Sequence, residues 1–129
     1  MAKIRVVLAD VSKLVTQKVY ETLDDNFEVG DTVEDGQRAI DAVRLLTPDV
    51  LVIDLSMPVL DGLKVARRLH GLNCLTKTVF LTVHEDLDFV EAAFSAGASA
   101  YVIKPRLRSD LLAAIHAVLK GHTFVSVFS

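Results

Sequence analysis

Four short runs of mostly branched apolar residues divide the chain: Ile4, Val6, Val7, Leu8 and Ala9; Val50, Leu51, Val52 and Ile53; Val79, Phe80 and Leu81; Tyr101, Val102 and Ile103. Each is short for a helix and too uniformly apolar for a strand with one wet face. Each is therefore expected to be a strand buried on both sides, as in a parallel sheet. Between the runs, apolar residues return at helical spacing: Val15, Val19 and Leu23; Ala39, Ile40, Val43 and Leu46; Val65, Ala66, Leu69 and Leu72; Phe89, Val90, Ala93 and Phe94; Leu111, Leu112, Ile115, Val118 and Leu119. A weaker strand is expected over residues 27–33, interrupted by Gly30 and Asp31. Strict alternation of strand and helix gives an α/β fold, a doubly wound five-stranded parallel sheet with helices on both faces. Right-handed crossovers make 2-1-3-4-5 the expected strand order.

Local signals punctuate these elements. Asp35 and Gly36 form a turn before the second helix, and Pro48 stops that helix. Asp61 and Gly62 open the third helix, the fourth ends near Gly97, and the fifth begins around Ser109 with Gly121 just past its end. With 129 residues the chain suits one domain, expected over residues 1–121. The apolar tail, residues 122–129, is expected to fold back onto that domain; its alternative is a docking strand or the stump of a linker to an output domain.

Composition narrows the function classes. A hydrophobic content of 51% fits a sheet covered on both faces, and 6% aromatic residues make the core mainly aliphatic. A net charge of −3 gives no support for nucleic-acid binding. Cys74 stands alone, so no internal disulfide forms, which fits a reducing cytoplasm. No apolar run reaches membrane-spanning length and the N-terminus is no signal peptide, so a soluble cytoplasmic protein is expected.

The chemistry lies at the strand ends. Asp10, Asp54, Thr82 and Lys104 each follow one apolar run directly. In parallel strands laid side by side, all four reach the carboxyl edge of the sheet, where open α/β sheets hold their sites. Two carboxylates repel each other unless a cation joins them. Oxygen donors suit Mg²⁺ or a similar hard ion, whereas His70, His84, His116 and His122 are scattered and make no zinc site. A lysine and a hydroxyl facing the acids suit a phosphoryl group, whose oxygens need several such partners. Taken singly, Thr82 is an ordinary strand residue, Tyr101 a half-buried aromatic, Lys104 a surface charge and His84 a surface histidine. Their joint placement is what carries the inference.

Asp10, the stretch Asp54, Leu55, Ser56, Met57 and Pro58 followed by Asp61 and Gly62, then Leu81 and Thr82, Gly97 and Ala98, Tyr101, and Lys104 and Pro105, in this order, resemble the receiver domain of bacterial two-component response regulators. The resemblance implies a flavodoxin-like, CheY-like fold. It implies that Asp54 accepts a phosphoryl group from a sensor histidine kinase or a phosphotransfer protein. It also implies that Mg²⁺ is held by Asp10, Asp54 and the backbone carbonyl of Ser56, and that Lys104 and Thr82 contact the phosphoryl oxygens. Tyr101 is implied as a switch that alters the face built from the fourth helix, fifth strand and fifth helix, where an output domain or partner protein docks. The Lys104–Pro105 bond is expected to be cis. Such a domain assists its own phosphorylation and dephosphorylation and is not a turnover enzyme.

One departure bears on the chemistry. The family carries a second acid after Asp10, and Val11 stands there instead, so Mg²⁺ binding is expected to be weakened. Two functions of different class follow: a phosphorylation-driven switch, and a pseudo-receiver that binds partners without the modification. Two further readings have less support. An aspartyl phosphatase of the haloacid dehalogenase type needs a second Asp where Ser56 stands, and a flavin binder needs a hydroxyl- and glycine-rich loop where Val11, Ser12, Lys13 and Leu14 stand.

Overall fold

The computed structural model describes residues 2–127; Met1 and the end of the apolar tail, Phe128 and Ser129, lie outside the described residues. Strands β1 (Ile4–Ala9), β2 (Phe27–Val33), β3 (Val50–Ile53), β4 (Lys77–Thr82) and β5 (Ala100–Ile103) alternate with helices α1 (Lys13–Thr22), α2 (Gly36–Leu46), α3 (Gly62–Gly71), α4 (Leu87–Ser95) and α5 (Leu107–Leu119). The strands are parallel in the order β2-β1-β3-β4-β5 that the alternation predicts. A sixth, two-residue strand, β6 (Phe124–Val125), continues the sheet beyond β5 and is parallel to it. The tail therefore folds back on the domain over its described residues, adding a strand to a sheet expected to have five.

The doubly apolar strands are explained by the two layers they separate. All four residues of β3 are fully buried. Leu51 and Ile53 pack with Ile40 and Val43 of α2 and Val65 and Leu69 of α3, whereas Val50 and Val52 pack with Val19 of α1 and Leu111 and Ile115 of α5. The weaker β2 stays continuous because the sheet absorbs its glycine. Val6 pairs with Val29 and Val7 with Asp31, so Gly30 is skipped as a bulge.

Helix ends follow the sequence signals with three differences. Ser12, Asp35 and Asp61 each cap a helix, accepting the N–H of Val15, Arg38 and Lys64 respectively. Asp35 and Gly36 thus start α2 directly instead of forming a separate turn. The Lys104–Pro105 bond, expected to be cis, is trans, as are all peptide bonds among the described residues. Pro105 lies in a 3₁₀ turn, Lys104–Arg106, where its fixed φ suits the opening of a helix. That turn runs straight into α5, which consequently begins at Leu107, two residues before the expected Ser109.

Register positions the site. Ala9 pairs with Ile53, so Asp10 and Asp54 leave adjacent strands side by side. Thr82 pairs with Ile103, so Lys104 leaves β5 beside Thr82. Gly62 permits the next approach: a Cβ there would lie 2.4 Å from the Asp54 carbonyl oxygen, and its N–H instead bonds Leu55 O at 2.9 Å.

Candidate functional site

The carboxyl edge of β1, β3, β4 and β5 brings together the four side chains that the sequence places there. Asp10 is 2% exposed, Asp54 7% and Thr82 0%. Lys104 spans the two acids, its Nζ lying 2.9 Å from Asp54 Oδ2 and 3.1 Å from Asp10 Oδ2. The first contact is a hydrogen bond. The second is near enough for an ion pair but off the line of one, leaving Asp10 Oδ2 buried with no hydrogen-bond partner. The other oxygen of Asp10 accepts the Ser12 N–H at 2.8 Å, which fixes the carboxylate against the start of α1.

Burial pushes the Asp10 carboxyl above its ordinary value of 3.8; the Ser12 N–H and Lys104 oppose the shift, and the charge of Asp54 adds to it. Lys104 is drawn the other way. Burial disfavours its charge, but the hydrogen-bonded Asp54 and the ion-paired Asp10 outweigh that and hold its ammonium above 10.5. The group is therefore a fixed cation at neutral pH.

Around this cluster the β4–α4 loop is tied down at several points. Thr82 Oγ1 accepts the His84 N–H at 3.4 Å, and the Tyr101 hydroxyl donates to the His84 carbonyl at 2.8 Å. Tyr101 is fully buried, and burial, with the nearby charges of Asp54 and Asp86, pushes its hydroxyl up to about 12. His84 Nε2 lies 3.4 Å from Ser56 Oγ, and its ring stacks on Phe89 at 4.5 Å. His84 is thus a half-buried bracket across the mouth of the site, not a free surface histidine. Phe89, one of the apolar residues whose spacing marks α4, is 37% exposed and serves that bracket. Its apolar character at helical spacing concealed the role.

The remaining wall is the β3–α3 loop. Val59, 81% exposed, has φ 69°, a conformation that costs a β-branched residue strain, and the flanking Leu60 N–H bonds Pro58 O at 2.7 Å. The Gly36 N–H of α2 also holds Pro58 O, at 3.1 Å. The Ser56 N–H lies 3.4 Å from Asp54 Oδ1.

The donor set is hard and oxygen-based, and a buried carboxylate oxygen without a hydrogen bond is the atom a small cation would satisfy. Two acids fit such an ion. Among the described residues no cluster of three or more acidic, histidine or cysteine side chains occurs, and Val11, where a further acid would stand, is 48% exposed. The residues present fit a hard divalent cation through oxygen donors, with two side-chain carboxylates to hold it.

Comparison with known proteins agrees with this geometry. Residues 6–116 match the response regulator receiver domain family. The chain is 30% identical to the transcriptional regulatory protein DegU of Brevibacillus brevis over 125 residues, 95% of this chain and 53% of DegU. It is 35% identical to the transcriptional regulatory protein PdtaR of Mycobacterium tuberculosis over 112 residues, 86% of this chain and 54% of PdtaR. It thus spans about half the length of these relatives. Among solved structures, a LuxR-family two-component response regulator from Aurantimonas sp. SI85-9A1 superposes with a TM-score of 0.88 at 28% identity, covering 95% of this chain and 89% of that one. Among the described residues no helix is long and apolar enough to cross a membrane.

Proposed function

The chain belongs to the response regulator receiver family of two-component signalling, and from that premise we propose that Asp54 is its phosphoacceptor. The observation that carries the reading is one ammonium, Lys104 Nζ, held 2.9 and 3.1 Å from two buried carboxylates on neighbouring strands. The donor is a histidine kinase or phosphotransfer protein carrying a phosphohistidine. A carboxylate oxygen of Asp54 attacks the phosphorus, the P–N bond breaks, and the imidazole leaves with its electron pair and takes up a proton. Carboxylates are weak nucleophiles, so positioning and charge neutralisation supply the acceleration. Lys104 provides a fixed positive charge to the incoming phosphoryl oxygens, and the Thr82 hydroxyl a hydrogen bond. Asp10, Asp54 and the Ser56 carbonyl are the groups that would hold Mg²⁺, which when bound offsets phosphoryl negative charge.

The output is a shift between two arrangements of the domain. Drawing Thr82 toward the phosphoryl group moves a loop already bonded to Tyr101 through the His84 carbonyl, and so alters the α4–β5–α5 face toward an output domain or partner. The domain assists its own modification and has no separate substrate. The reading carries with it a cytoplasmic location.

Val11 favours a second reading, a pseudo-receiver that docks partners without phosphorylation. Incubation with acetyl phosphate and Mg²⁺ followed by intact-mass measurement separates the two. A phosphoryl adduct that disappears in Asp54→Asn supports the switch. Failure to form an adduct across a wide range of Mg²⁺ and phosphodonor concentrations sinks it in favour of the docking module. In the switch case Val11→Asp lowers the Mg²⁺ concentration for half-maximal adduct by roughly tenfold or more.

A further inference from the structure

The sixth strand is held in an unusual way. Two residues are too few for a ladder to be stable by itself; the backbone bonds that fasten the segment include Phe124 N–H to Ser99 O at 3.3 Å and Ser126 N–H to Tyr101 O at 2.9 Å. Apolar burial comes from Phe124, half-buried against the α1–α5 side of the core, whereas Val125 is 42% and Val127 74% exposed. A buried polar clasp adds to these. Ser126, 4% exposed, donates its hydroxyl to Asp110 Oδ2 at 2.7 Å and accepts the Ile103 N–H at 3.2 Å. Arg106 Nε bonds the same Asp110 oxygen at 2.9 Å.

The clasp and the phosphoacceptor cluster grip opposite ends of one short turn. Lys104 opens the 3₁₀ turn and bonds Asp54; Arg106 closes it and bonds Asp110. Ile103, whose N–H reaches Ser126, is joined to Lys104 by one peptide. With Pro105 stiffening the middle, a displacement of the turn's backbone at one hook bears on the other. The parallel direction of β6 also carries the chain toward the carboxyl edge of the sheet, the edge that holds Asp54.

We propose that docking of residues 124–127 on β5 depends on the Lys104–Asp54 ion pair, so that an event drawing Lys104 away from Asp54 releases the C-terminal segment. Phosphorylation is such an event, and that part rests on the function proposed above; the mechanical coupling does not.

Amide hydrogen exchange over residues 120–127, measured on the full chain, tests it. Ser126→Ala removes the clasp, and Asp54→Ala removes the ion pair. Each is expected to speed exchange of the Phe124 and Ser126 amides by roughly fivefold, the equivalent of losing one net hydrogen bond. Lys104→Met serves as an independent break of the pair should Asp54→Ala fold poorly. Faster exchange in Ser126→Ala with less than a twofold change in both pair-breaking variants overturns the coupling. Unchanged exchange in Ser126→Ala overturns the clasp itself. An adduct on Asp54, confirmed by mass, that leaves these amides unchanged also overturns the inference while leaving the proposed function intact. Absence of an adduct overturns the proposed function, and the unphosphorylated variants still decide the coupling.

Discussion

Asp10 and Asp110 are both buried aspartates, 2% and 7% exposed, and each sits beside a cationic side chain, yet the domain treats them oppositely. Asp110 is saturated: Arg106, Ser109 and Ser126 all donate to it. Burial tends to raise its carboxyl, but these bonds prevail and hold it below 3.8. Asp10 keeps one oxygen with no hydrogen-bond partner, and burial prevails there, raising it above 3.8. The contrast separates two uses of a buried charge. A carboxylate whose lone pairs are all engaged fastens one piece of chain to another. One left partly unsatisfied is held ready for a group that the protein itself does not supply.

The largest effect that could break the comparison is at the clasp. Asp110→Ala leaves the Ser126 hydroxyl without its acceptor and Arg106 without its partner, and is expected to lower unfolding free energy by about 2 kcal/mol. Urea denaturation monitored by circular dichroism measures it. A loss near zero would mean that the saturated aspartate is not structural. Asp10→Asn should have the opposite sign, stabilising by up to about 1 kcal/mol at neutral pH, because it removes a desolvated charge with an unsatisfied oxygen. Destabilisation comparable to that of Asp110→Ala would erase the distinction.

Acid titration of stability sharpens the same contrast. The folded pKa of Asp110 is depressed, so its contribution is present above 3.8 and is lost as pH falls through the lower folded value. Asp10 is raised, so the folded state favours its protonated form, and that contribution is lost as pH rises from 3.8 through the folded value. Replacing Asp110 by Asn should therefore flatten the acid limb of the stability profile, and replacing Asp10 by Asn should steepen it. Equal changes in the two variants would contradict the assignment.

The smallest effect concerns backbone strain beside the open site. Val59 at φ 69° carries a cost of about 1–2 kcal/mol, of which glycine's greater freedom when unfolded returns about 0.5–1 kcal/mol. Val59→Gly should stabilise by about 0.5 kcal/mol in the same denaturation experiment. A loss of stability would mean that the Val59 side chain makes a contact that outweighs its strain.

Much of this was legible in the residues themselves. Val50, Leu51, Val52 and Ile53 required a strand covered on both faces, and the two layers around β3 are the reason. Asp10, Asp54, Thr82 and Lys104 each stood at the end of such a run, so parallel pairing alone brought them to one edge. The clasp was not legible. Asp110 was one charge at the start of a helix and Ser126 one hydroxyl in an apolar tail, with nothing local to join residues 16 apart. The contact of Phe89 was hidden for a related reason, since helical spacing marks an apolar residue without saying which neighbour it meets.

By itself, then, the order of residues determined the strands, the helices, their alternation and the chemical types gathered at the carboxyl edge, because periodicity and strand-end position are local properties. Only the tertiary structure decided that Lys104 hydrogen-bonds Asp54 and leaves an oxygen of Asp10 ion-paired but without a hydrogen bond, that Pro105 opens a helix through a trans bond, and that the tail becomes a strand clasped by Asp110. Those outcomes depend on distances and angles, set to a fraction of an ångström, between groups far apart in the chain, which packing fixes and spacing along the sequence does not encode.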